Sequence, residues 1–117
     1  MAGDWLKVEK VTPDKPEMRQ IARQCGCTRG DAFAAWFRLW SYFDVTTANG
    51  EVPFFGADDA DEEARLPGIG EALADAGWLV FHPGGCTIVN WDRHNGENAK
   101  QRALAHERKR KQRRSSG

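Results

Sequence analysis

Cysteine is scarce in this chain of 117 residues, with only Cys25, Cys27 and Cys86 present. Three thiols cannot all pair, and no apolar leader precedes the first charged residues, so the expectation is an intracellular, reduced, cytoplasmic protein. The Cys-Gly-Cys run at 25–27 lacks the two-residue gap of a zinc knuckle and has no histidine nearby in sequence, so no metal site is expected there. Long hydrophobic runs are missing as well. The longest are a few residues, against the roughly 20 that a membrane-spanning helix needs, so no membrane partner is expected. A catalytic constellation is also lacking: Asp92 and His94 in "WDRHNG" have no accompanying nucleophile or second carboxylate cluster, and they read as turn residues. His82 and His106 read as surface side chains. Neither an enzyme nor a cofactor site is expected.

Net charge is missing too, but only as a total. Seventeen Lys and Arg balance seventeen Asp and Glu over the whole chain. Residues 1–95 hold nine basic and fifteen acidic side chains, while residues 96–117 hold eight basic and two acidic ones. The halves therefore carry −6 and +6. All five Trp, all six Phe and the single Tyr precede residue 92, which gives the core to the body and leaves the end of the chain solvated or bound to something. A chain of this length fits one domain, 1–95, followed by a basic tail, 96–117. Basic arms of this kind meet nucleic acid or anionic membrane. The tail has no apolar stripe with which to lie on a membrane, so the choice is between nucleic acid and a merely solvated basic linker, and the charge footprint favours nucleic acid.

Periodicity orders the body. "DWLKVEK" alternates Leu6 and Val8 with Lys7 and Glu9, as a short half-buried strand does. In "TPDKPEMRQIARQCG", Asp14 is placed to cap a helix whose Met18, Ile21, Ala22 and Cys25 share a face, with Gly26 as its stop. "TRGDAFAAWFRLWSYFD" opens on a Thr28/Asp31 capping pattern and repeats Phe33, Trp36, Phe37, Trp40 and Phe43 at intervals of three and four. Such a stripe is core rather than a base-stacking platform, because exposing it would cost too much. Asn49-Gly50 then makes a turn into a short extended piece that Pro53 confines to a sheet edge.

"GADDADEEARLPG" reads as a short helix with Ala57, Ala60 and Ala64 inward and a solvated acidic face, ended by Pro67-Gly68. "IGEALADAGW" follows at once as a second helix with Ile69, Leu73 and Ala76 inward and Gly77 as its stop. So short a break points to a helix-turn-helix. The apolar stretches 78–82 and 86–91, joined by Pro83-Gly84-Gly85, read as a β-hairpin. The expected fold is α+β: a winged helix-turn-helix whose wing is the hairpin, with an extra N-terminal strand and helix and a basic C-terminal helical tail.

The ordered segments "DWLKV", "PEMRQIAR", "FRLWSYFD", "GEVPF", "EALADAGWLVF" and "WDRHNGENAKQRAL" resemble the N-terminal winged-helix domain of phage replication proteins, the replisome organisers and DnaD-like primosomal proteins. The resemblance covers nearly the whole chain. It implies a module that binds DNA at a replication origin, self-associates, and helps deliver the replicative helicase or other replication proteins.

Where base edges are read by a helix-turn-helix, the second helix presents Arg, Lys, Asn or Gln to the major groove. Here that helix would present Glu71 and Asp75, behind Asp58, Asp59, Asp61, Glu62 and Glu63, all of the wrong sign for a phosphate-lined groove. The tail is the better candidate. Asn95 can cap a helix with Glu97 in its first turn, and Ala99, Ala103, Leu104 and Ala105 favour it. The expected DNA-binding residues are Arg93, Lys100, Arg102, Arg108, Lys109, Arg110, Lys111, Arg113 and Arg114. The alternative is a protein-interaction or self-assembly module that works through its acidic helices, including head-to-tail pairing of the −6 and +6 halves.

Overall fold

The computed structural model describes residues 5–91. Among them the chain forms a 3-10 turn at Thr12–Asp14, then α1 Pro16–Cys25, α2 Arg29–Thr46, β1 Glu51–Pro53, α3 Ala57–Ala64, α4 Ile69–Asp75, β2 Leu79–His82 and β3 Gly85–Ile88. This is an α+β arrangement of four helices and one antiparallel sheet of order β1-β3-β2, compatible in layout with a winged helix. The expected tail, 96–117, and the boundary at residue 95 lie outside the described residues.

α2 is the centre of the core because its apolar residues recur at helical spacing. Ala32, Ala35, Leu39 and Phe43 are fully enclosed and Trp36 and Trp40 nearly so, and each large side chain among them contributes about 1.5–3 kcal/mol by leaving water. Trp36 and Trp40 lie 5.2 Å apart between ring centroids, and Trp40 meets Trp78 edge-on at 6.4 Å. The helix begins where Thr28 Oγ1 accepts a hydrogen bond from the Asp31 N–H at 3.1 Å, satisfying one of the free donors of the first turn. One member of the expected stripe is misplaced: Phe37 is 41% exposed. It follows Trp36 directly, and neighbouring residues on a helix point about 100° apart, so burying Trp36 and Trp40 turns Phe37 to the flank.

α1 buries Met18, Ile21 and Ala22 and stops at Gly26, whose φ of 68° lies in the left-handed region. Its cap is Lys15 and not Asp14. Pro16 is the first helical residue and drives the one before it into extended geometry, so Lys15, at φ −63° and ψ 144°, takes the cap position. Asp14 instead meets the Arg29 guanidinium at 3.3 Å.

The expected N-terminal strand is absent, since residues 5–9 pair with no other strand. Leu6 and Val8 nevertheless pack against the core. Alternation reports a buried face, and a face can be buried without a ladder.

In the sheet, Val80 lies opposite Thr87 and Glu51 opposite Thr87 from the other side. Val52, Leu79, Cys86 and Ile88 turn inward. Pro53 occupies the edge strand, as a residue without an N–H must. The second hairpin strand ends at Ile88 rather than 91. Trp91 folds back instead, donating from Nε1 to the Ala48 carbonyl at 3.3 Å and lying against Gly50, whose φ of 76° and missing side chain admit the indole.

Candidate nucleic-acid interface

α3 and α4 are two short helices joined by a tight turn, and the sequence explains how they fit so close together. α3 turns only Ala60 and Ala64 fully inward, and α4 presents Gly70 to it. A Cβ on Gly70 would lie 2.7 Å from the Ala57 carbonyl oxygen and 3.1 Å from the Ala60 Cβ, so glycine sets the separation. α3 ends with Arg65 in the left-handed region, φ 59°, and Gly68, φ 87°, turns the chain into α4.

The turn is held by a carboxylate. Asp61 Oδ2 accepts from the Gly68 N–H at 2.9 Å and Oδ1 from the Gly70 N–H at 2.8 Å, so one side chain of α3 satisfies two donors at the start of α4. Asp61 therefore departs from the solvated acidic face expected of this helix. Asp59 works in the same way at the other end of α3, where Oδ2 accepts from the Gly56 N–H at 2.8 Å. Arg38 ties α2 to this unit by donating from Nε to the Ala64 carbonyl at 2.8 Å, and Gln24 of α1 donates to Asp75 Oδ2 at 2.8 Å.

What remains on the outer surface is anionic. Asp58, Asp59, Glu62, Glu63, Glu71 and Asp75 are all exposed, with Arg65 the one cation on the pair and its connection. Over residues 5–91 there are eight Lys and Arg against thirteen Asp and Glu. A phosphate backbone brought to α4 would face these carboxylates first, and the Coulomb term opposes approach.

Every residue expected to bind DNA lies outside the described residues: Arg93, Lys100, Arg102, Arg108, Lys109, Arg110, Lys111, Arg113 and Arg114. Asp92, His94 and His106 fall in the same segment. His82 lies on the outer face of the sheet, with Nε2 2.9 Å from Thr87 Oγ1 and 3.8 Å from the Glu51 carboxylate.

Two features escaped sequence reasoning. The first is a cleft of about 200 Å³ walled by Trp36, Trp40, Trp78, Trp91 and Ile88. Lys7, Lys15 and Glu9 contribute polar groups to it, and the Lys15 ammonium lies 5.8 Å from the centre of the Trp78 ring. The aromatic spacing of α2 was legible, but the indoles at 78 and 91 arrive from different elements and carry no periodic signal. The second is Phe54, 94% exposed and at φ 53°. It stands beside Phe55, which is buried and packs on Tyr42 and Phe43 at 5.7 and 5.5 Å.

The thiols are poised against reactivity. Burial pushes the Cys86 thiol up to about 12. Burial also raises Cys25, helped by the neighbouring Cys27 and by Asp61, and raises Cys27, helped by Asp31. Among the described residues no group of three or more His, Cys, Asp or Glu is placed to hold a metal ion, and no helix is long and apolar enough to cross a membrane. No family model, no curated protein and no solved structure matches the chain.

Proposed function

We propose that this chain is a winged-helix DNA-binding module of a phage-type replication initiation protein, held to DNA chiefly by its cationic C-terminal segment and acting in origin binding or helicase recruitment. The layout supports the winged-helix part: two short helices across a tight turn, followed at once by a hairpin whose second strand pairs with an edge strand from earlier in the chain. The order of segments quoted above supports the replication part by its resemblance to that family.

The observation that carries the reading is the division of charge. Eight of the chain's seventeen basic side chains fall in residues 96–117, behind a body whose helix pair is acidic on its outer surface. Lys100, Arg102, Arg108, Lys109, Arg110, Lys111, Arg113 and Arg114, with Arg93 at the junction, form a phosphate-binding arm that is insensitive to sequence. The acidic helices of the body repel DNA, which leaves the contact to the arm.

Truncation after Asn95, measured by fluorescence anisotropy on a labelled duplex and a labelled single strand, tests the reading. The full chain binds both with a log–log salt slope of roughly −4 to −5 if about five side chains neutralise phosphates, and the truncated chain loses most of that affinity. A truncated chain that binds as tightly as the full one overturns the proposal.

A further inference from the structure

Phe54 and the indole-walled cleft are unlike features at opposite ends of one sheet. Pro53 pairs with Gly85 at the hairpin-turn end, and the Phe54 N–H donates to the Gly84 carbonyl at 3.1 Å. The cleft lies at the other end, where Trp78 precedes β2 and Ile88 closes β3. A ring at the first end cannot fill the cleft of its own chain, because the length of the hairpin separates them.

Phe54 is costly as it stands. A bulky residue rarely adopts a left-handed backbone, where glycine or asparagine is the cheaper choice, and this ring is 94% exposed. It is also firmly presented: Pro53 fixes the backbone before it and buried Phe55 anchors the backbone after it. A ring on a fixed backbone has only its own side-chain freedom to lose on docking.

The cleft fits such a ring. A closed apolar cavity of about 150 Å³ takes up benzene; this open cleft has room for a ring at about 200 Å³, with four indoles beside the polar groups of Lys7, Glu9, Thr12, Lys15 and Asn90. The charges match as well. Exposed Glu51, Asp58 and Asp59 flank Phe54 in the chain, whereas Lys7 and Lys15 line the cleft, with Glu9 the one opposing charge there.

We propose that Phe54 of one copy seats in the Trp36/Trp40/Trp78/Trp91 cleft of a second copy, so that the chain self-associates through two different surfaces. This contact is independent of the DNA reading and forms without nucleic acid. Growth that stops at two copies means a reciprocal pair, and growth that continues means an open row; both contain the contact.

Sedimentation equilibrium of the full chain, without DNA and over a wide concentration range, gives the test. The weight-average mass rises with concentration for the parent, and both Phe54→Ala and Lys15→Glu weaken association by about tenfold or more. Far-ultraviolet circular dichroism and melting temperature show whether each variant is folded; Phe54 is exposed, and Lys15 is half-buried but not part of the core. Mixing Phe54→Ala with Lys15→Glu restores a one-to-one complex, because the first supplies an intact cleft and the second an intact ring; misfolding cannot produce that rescue. A parent that stays monomeric, a Phe54→Ala chain that associates like the parent, or a mixture that does not pair overturns the proposal. A monomeric parent whose tryptophan fluorescence is quenched by a single-stranded oligonucleotide overturns it too, by giving the cleft to a base. Association carried instead by the −6 and +6 halves would survive Phe54→Ala and vanish in high salt.

Discussion

The α3–α4 pair and the C-terminal segment divide two properties that groove-reading proteins combine in one element. The pair has shape: two short helices brought together by Ala57, Ala60 and Gly70 and joined through the Asp61 carboxylate. The segment 96–117 has charge, eight basic side chains to two acidic. Shape without positive charge cannot approach a polyanion closely, and cationic side chains paired with phosphates bind it with little discrimination between sequences. The division teaches that a helix-turn-helix layout is by itself no argument for base reading; the sign of the exposed side chains decides.

The comparison can be broken first on the side of shape. Asp61→Ala leaves the Gly68 and Gly70 N–H groups without their acceptor and removes charge-assisted bonds, an expected loss of about 2–4 kcal/mol in urea unfolding, with Asp61→Asn recovering part of it. Gly70→Ala forces a methyl to 2.7 Å from the Ala57 carbonyl oxygen, a clash with backbone that puts the overpacking cost in the upper part of its range, about 2–3 kcal/mol; better helix propensity returns about 1, so a net loss of about 1–2 kcal/mol is expected. A Gly70→Ala chain as stable as the parent would show that α3 and α4 are less tightly joined than the contact distances require.

The comparison can also be sharpened by moving charge onto the shape. Glu62, Glu63 and Glu71 are exposed and take no part in the hydrogen bonds that build the turn. Changing all three to Lys should leave stability within about 0.5 kcal/mol and raise the affinity of the full chain for duplex DNA, with a steeper salt slope by up to about two to three. An unchanged slope would mean that the pair faces away from bound DNA.

A further test is alkaline. The folded pKa of Cys86 is raised to about 12, and an unfolded thiol titrates near 8.5. The folded chain then holds its proton where the unfolded chain has lost it, so this contribution is intact below about pH 8.5 and is lost as pH rises toward 12. Over that window the parent should lose stability in urea unfolding more steeply with rising pH than Cys86→Ala does. A thiol reagent should label Cys86 only on unfolding.

Most elements were legible because their signals are local. Gly26 closes α1, Thr28 opens α2, the alanines of α3 face inward, and the hairpin turns at Pro83-Gly84. What escaped depends on partners remote in sequence. Leu6 and Val8 alternate like a strand but find only side chains to pack on. Asp61 looks like its acidic neighbours until Gly68 and Gly70 return to it. Trp78 and Trp91 become walls of one cleft only through the sheet that carries them. The functional residues expected at 93–114 were a reading of charge alone, and they lie outside the described residues.

Pro53 has a last consequence, for solubility. A sheet margin invites extension by any chain able to add another rung, which is the usual route to insoluble cross-β material. β1 is only three residues long, begins with an exposed carboxylate and ends with an imino acid that has no hydrogen to give. Crowding this protein should therefore leave that margin inert, and replacing Pro53 by a β-branched residue should make it sticky.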